Sequence, residues 1–232
     1  MEKKSQGKEK KLPTKQRPKP LTTLHLKKIC LILILLAGIA GCTSSRFNTK
    51  WLGETAPANF TTVFETSKGQ FTVAVERKLS PEAVDRFYQL VKYKYFDGNL
   101  FYRVNPGFVA QFGTKDSLAL NFWSSKKVVD EPVMQGNAKG TLSFARGGPK
   151  TRSTDLFINL SDNHRLDTLL WNKVRGFPTF GKVTQGMEVL EALYSGYADT
   201  TMGKLELMYA DEKAFLAAFP KLDTLHKAYL LH

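Results

Sequence analysis

Few side chains in this 232-residue sequence are placed for covalent chemistry. The four histidines, His25, His164, His226 and His232, share no metal-ligand spacing with a cysteine or carboxylate, so no metal site is expected. Gly147-Gly148-Pro149-Lys150 lacks the spacing of a phosphate-binding loop and reads as a turn. Trp171, in an apparent insertion, reads as a packing residue. Arg103 and Gln111, in a stretch rich in apolar residues, stand out only through the motif that contains them. Read singly, an arginine in a strand is a solvated charge and phenylalanines at alternate positions are core. Such a set offers neither nucleophile nor metal. The chemistry open to it is non-covalent, a charge and an amide presented over apolar surface.

The order of the motifs carries more than any one residue. Residues 100–113, Leu-Phe-Tyr-Arg-Val-Asn-Pro-Gly-Phe-Val-Ala-Gln-Phe-Gly, resemble the cyclophilin signature F-x-R-V-x-x-G-F-x-x-Q-x-G. Gly140-Thr141-Leu142-Ser143-Phe144-Ala145-Arg146, Asp155-Leu156-Phe157-Ile158-Asn159, Leu166-Asp167 and Phe177-Pro178-Thr179-Phe180-Gly181-Lys182-Val183 follow in family order. The resemblance covers roughly residues 60–197, and Phe219-Pro220-Lys221-Leu222-Asp223 is similar to a tail found in one bacterial branch.

The resemblance implies a cofactor-free peptidyl-prolyl cis/trans isomerase acting on proline-containing polypeptides. Its fold would be mainly β, an eight-stranded antiparallel barrel closed by two helices, with the site on the outer face. Arg103 would donate to the proline nitrogen in the twisted transition state, steadied by Gln111. Phe108, Val109, Phe157 and Leu166 would form the apolar floor, Phe177 a wall, and the backbone of Ala145 and Arg146 would pair with the substrate chain. Asp155 stands where the family has glutamine. Beside Arg103 it would draw hydrogen bonds from the guanidinium and slow the enzyme. The runner-up is a binding module that holds proline segments without fast turnover. Arg165 stands where eukaryotic members carry the cyclosporin-binding tryptophan. Residues 115–127 replace a Gly-rich loop, which leaves selectivity for the residue before proline open.

The elements that must position these residues are legible in outline. Alternation over 60–76, broken by Ser67-Lys68-Gly69, predicts a hairpin. Ser80-Pro81-Glu82 predicts a helix start with Ser80 as its cap, and Val84, Phe87, Tyr88 and Val91 form its buried stripe. Short apolar pieces at 100–105, 108–112, 141–145, 156–159 and 180–183 predict strands, and 186–194 a second helix. The tail, 210–231, reads as helical, broken at Phe219-Pro220 and packed outside the core.

The formal charge of +13 first suggests nucleic acid. Ten of the 34 Lys and Arg residues lie within 1–41, however, leaving 24 basic and 19 acidic residues beyond, and no basic stripe with interleaved aromatics. No nucleic-acid partner is expected. The basic start runs into twelve apolar residues, 29–40, which as helix at about 1.5 Å per residue are too short to span a bilayer core but suit a signal peptide. Ile39-Ala40-Gly41-Cys42 resembles a lipobox. The expected organisation is therefore a lipoprotein signal peptide (1–41), acylation at Cys42, a flexible tether (42–59), an isomerase domain (60–200) and a helical extension packed on it (201–232). The mature protein is expected as a monomer in the cell envelope, on the outer membrane facing the periplasm.

Overall fold

A computed structural model describes residues 47–114 and 117–231. The leader and Cys42 lie outside the described residues. A 3-10 turn, Thr49–Gly53, leads into the hairpin of β1 (Asn59–Thr66) and β2 (Gly69–Glu76). Then follow α1 (Pro81–Lys92), β3 (Asn99–Leu100), β4 (Arg103–Val104), β5 (Val109–Phe112) and α2 (Ser117–Ser124). The chain continues with β6 (Thr141–Phe144), β7 (Leu156–Asn159), α3 (Arg165–Thr168), and a small hairpin of β8 (Leu170–Trp171) and β9 (Val174–Arg175). Last come β10 (Thr179–Gln185), α4 (Met187–Glu191), a 3-10 segment Thr200–Lys204, α5 (Leu205–Ala210), α6 (Glu212–Ala218) and β11 (Thr224–Leu231).

All strands but β8 and β9 join one antiparallel sheet in the order β3-β11-β1-β2-β10-β6-β7-β5-β4. Its two ends, β3 and β4, are successive pieces of residues 99–104. One short stretch therefore supplies both edges, and the sheet must curl until they meet. Taken as a single interrupted strand, 99–104 makes eight strands. The interior is aromatic: Phe64 and Phe71, cross-strand partners, stack at 4.6 Å, and Phe112, Phe144 and Phe180 are fully buried around them. Helix α1 adds Val84, Phe87, Leu90 and Val91 to this core.

Three expectations need correction. Residues 224–231 form β11, hydrogen-bonded between β1 and β3, rather than a helix on the outside. A bulge between Glu65 and Thr66 on the partner strand leaves His226 without a register partner, so the buried Leu225 and Ala228 stand three apart. That is a helical spacing produced by a strand. Of the expected tether, 42–59, the described part from residue 47 is not loose, because Leu52, only 7% exposed, and Ala56 belong to the core cluster and Trp51 stacks on Tyr93 at 4.1 Å. Finally, the Ser80 hydroxyl does not cap α1. It donates to Glu131, whose carboxylate accepts from the Glu82 and Ala83 amides at 2.9 and 3.3 Å. A glutamate 49 residues downstream of Glu82 thus meets the orphan amides of the first turn.

Candidate active site

Strand alternation builds the site. On β5, Ala110 and Phe112 point into the core while Val109 and Gln111 point out. On β7, Leu156 and Ile158 point in and Phe157 out. Register sets Arg103 opposite Gln111, Gln111 opposite Phe157 and Phe157 opposite Ser143, a row across β4, β5, β7 and β6. Along this row Arg103 Nη1 donates to Gln111 Oε1 at 3.2 Å. Val109, Phe157 and Leu166 form an apolar cluster outside the barrel, with Phe108, Ala145 and Phe177 packed on it. The Phe157 and Phe177 rings meet edge-on at 6.0 Å, and the Phe177 amide donates to the Leu166 carbonyl at 2.9 Å.

These residues line a groove of about 360 Å³. Of the residues singled out in the sequence, it brings together Arg103, Phe108, Val109, Gln111, Ala145, Arg146, Phe157, Leu166 and Phe177. Arg165, Leu169, Trp171 and Met202 complete the lining. Trp171 is 49% exposed on the β8–β9 hairpin, so the packing role read from sequence is corrected. The signal available was the run Leu169-Leu170-Trp171, three apolar residues in a row where the chain leaves the core.

Asp155 is the second correction. It is not among the groove-lining residues and makes no bond to Arg103. Its Oδ1 instead accepts from Thr114 Oγ1 at 2.5 Å and the Tyr102 hydroxyl at 3.2 Å. Burial pushes the Asp155 carboxyl up to about 6, and burial with the adjacent carboxylate holds the Tyr102 phenol well above its ordinary value. Gly113 makes this approach possible. At φ +110° it lies so close to Thr154 that a Cβ would meet the Thr154 carbonyl oxygen at 2.2 Å.

The carboxylate that does hold Arg103 is Asp199, whose Oδ1 accepts from Nε at 2.6 Å. No local pattern marked it. It lies beyond the stretch carrying the motifs and meets Arg103 only because the segment before Thr200–Lys204 returns to the groove, where Met202 adds to the lining. With Nε on Asp199 and Nη1 on Gln111, the guanidinium is fixed from two sides at one end of an apolar groove.

Comparison with known proteins places this arrangement. The family model described as "Cyclophilin type peptidyl-prolyl cis-trans isomerase/CLD" matches residues 61–208. Peptidyl-prolyl cis-trans isomerase A of Dickeya dadantii is 33% identical over 135 residues, covering 55% of this chain and 67% of that protein. Peptidyl-prolyl cis-trans isomerase CYP18-2 of Arabidopsis thaliana is 34% identical over 142 residues, covering 59% and 82%. Among solved structures, a cyclophilin type peptidyl-prolyl cis-trans isomerase of Cryptosporidium parvum is similar in fold, with a TM-score of 0.54 at 18% identity over 75% of this chain and 98% of that one. A second structure of that protein, determined in the presence of the dipeptide Ala-Pro, gives a TM-score of 0.53 at 18% identity over 74% of this chain and 99% of that one.

Proposed function

This chain belongs to the cyclophilin-type peptidyl-prolyl cis-trans isomerase family, and on that premise we propose that it isomerises prolyl bonds of bacterial cell-envelope polypeptides while anchored to a membrane through a lipid on Cys42. The activity of this family needs no cofactor. Rotation about a peptide bond meets a barrier of about 18–20 kcal/mol, because the C–N bond has partial double-bond character. A catalyst must bind the twisted state better than either planar one. In that state the proline nitrogen has lost conjugation and accepts a hydrogen bond, and the Arg103 guanidinium supplies the donor. The floor of Val109, Phe157 and Leu166 receives the pyrrolidine ring. Its low polarity disfavours the charge-separated form of the planar amide. Gln111 holds the guanidinium in place, and the Ala145–Arg146 backbone pairs with the substrate.

The observation that carries the reading is the guanidinium fixed at the end of an outward-facing apolar groove. With Asp155 bonded elsewhere, the argument for slow turnover loses its basis. Arg103→Ala should lower kcat/KM for a proline tetrapeptide by about 10²-fold, roughly 3 kcal/mol of transition-state stabilisation, with an unchanged circular dichroism spectrum. Arg103→Lys should recover little, since an ammonium lacks the planar fork. A rate within twofold of wild type in folded Arg103→Ala removes Arg103 from the mechanism.

The envelope reading is supported by the basic leader, the apolar run 29–40 and the small residues before Cys42. No helix among the described residues is long and apolar enough to cross a membrane. Thr43 and Ser44 carry no acid after the acylated cysteine, which favours the outer membrane facing the periplasm, and we take the domain to act as a monomer.

A further inference from the structure

We propose that the groove selects proline segments carrying a carboxylate side chain, Asp or Glu, next to the proline. This rests on reading the groove as the prolyl site. Three guanidiniums line it, those of Arg103, Arg146 and Arg165, and no carboxylate does. Arg103 is taken by Asp199 and Gln111. Arg146 and Arg165 form no ion pair among the described residues.

Arg146 is held by burial and a hydrogen bond, whereas Arg165 is exposed and rests on an aromatic ring. Arg146 is 8% exposed, its guanidinium carbon lies 4.1 Å from the Phe177 ring centroid, and its Nη2 donates to the Val174 carbonyl at 3.1 Å. Its Nε is buried with no partner. The one acid close enough to act on its charge, Asp130, accepts from the Lys150 amide at 2.9 Å and lies outside the lining. Arg165 stands over Phe108, 4.7 Å from the centroid, and Arg103 lies 5.2 Å from the same centroid. The floor that would hold a pyrrolidine ring is thus flanked by positive charge. A buried cation with no direct ion pair, as Arg146 is, gains most from an arriving carboxylate, since it is already desolvated and ordered.

The β8–β9 hairpin that holds Arg146 is itself built. Asn172 and Lys173 carry φ of +46° and +71°, the two positive values a tight mirror-image turn needs, and Asn172 Nδ2 donates to the Gly147 carbonyl. It brings the exposed ring of Trp171, paired with Val174 across the hairpin, to the rim of the groove. An acidic residue near proline meets attraction there, and a lysine meets repulsion that nothing in the lining offsets.

The test uses the folded domain and peptides with Glu, Gln or Lys immediately before or after a single proline. Turnover is measured by exchange NMR and binding by chemical-shift titration. At low ionic strength the Glu peptide should exceed the Lys peptide about tenfold or more in kcat/KM and in affinity at one flank at least, with the ratio shrinking in 0.5 M NaCl. In Arg146→Ala/Arg165→Ala the ratio should fall towards one, and in Arg165→Glu it should drop further. Because a ratio is read, a change in overall rate cancels. A wild-type ratio under about twofold at both flanks, or one unchanged in the variants, overturns the proposal. The prolyl reading is judged separately on the Gln peptide. If Arg103→Ala abolishes its turnover while the Glu/Lys ratio is one, the site stands and the selectivity falls. If wild type turns over no peptide, the site reading falls, and the selectivity is still decided by the titration.

Discussion

Asp199 reaches Arg103 across 96 residues of chain and accepts the Nε–H hydrogen bond, leaving the outer nitrogens to Gln111 and the substrate. At 59% exposure the carboxylate is largely screened, so its worth is orientation more than charge, on the order of 1 kcal/mol. Asp199→Ala should therefore cost about fivefold in kcat with KM little changed. Asp199→Asn, which keeps an acceptor oxygen, should recover most of it. A loss confined to KM would show that Asp199 acts on binding instead. Asp155 belongs to a different problem. Its carboxyl is raised from an ordinary value of about 4 to about 6 by burial, so the native state holds the proton more tightly than the unfolded chain. Its contribution to stability is thus present below pH 4, falls as pH rises towards 6 and is flat above. Asp155→Asn keeps an oxygen for Thr114 and Tyr102 without the charge. It should be more stable than wild type by about 2–3 kcal/mol at pH 7.5 and nearly equal to it at pH 4, read from urea midpoints. The motif residues were legible because strand alternation and register convert their spacing into one row. The carboxylate that holds Arg103 and the partners of Asp155 were not, since Asp199 and Thr114 are joined to them by tertiary contact alone.

Among the elements, α1 is the clearest case of local rules overridden from a distance. Its proline start and apolar stripe were readable, but its cap comes from Glu131, which also receives Arg152 Nη2 at 3.0 Å. Arg152 is 1% exposed, so removing the carboxylate strands a buried charge and opens the first turn of α1 together. Glu131→Ala should destabilise by about 3–5 kcal/mol in urea unfolding, whereas Ser80→Ala should cost about 1 kcal/mol. Equal costs would mean that the Ser80 hydroxyl, not the Arg152 pairing, holds the corner. The strand β11 escaped the sequence for the opposite reason. Its bulge gave Leu225 and Ala228 the three-residue spacing of a helix, and only the neighbouring strands β1 and β3 select the extended form.

At the scale of the molecule, the mainly β class followed from many short apolar runs and the barrel from the family motifs, while a third helix, α2, joins the two expected on the core through Ala119 and Trp123. How the barrel closes did not follow, because it depends on residues 99–104 serving both ends of the sheet. The proposed anchor is tested at residue 42. Cys42→Ser should release the domain from the membrane fraction or block processing, and mass spectrometry of the native membrane protein should find an acylated residue 42 at the amino terminus. An intact Met1 or an unmodified Cys42 there would refute the anchor. Synthesis runs from β1 to β11, and Thr62 meets Leu230, its neighbour in the sheet, across nearly the whole domain. At about 5–20 residues per second a ribosome takes roughly ten to thirty seconds to make the intervening chain. Through that interval β1 has one flank open and the aromatic interior cannot seal, so the nascent chain carries an unpaired strand edge until β11 is made. The catalyst of other chains' slow steps must itself wait for the last strand to be made.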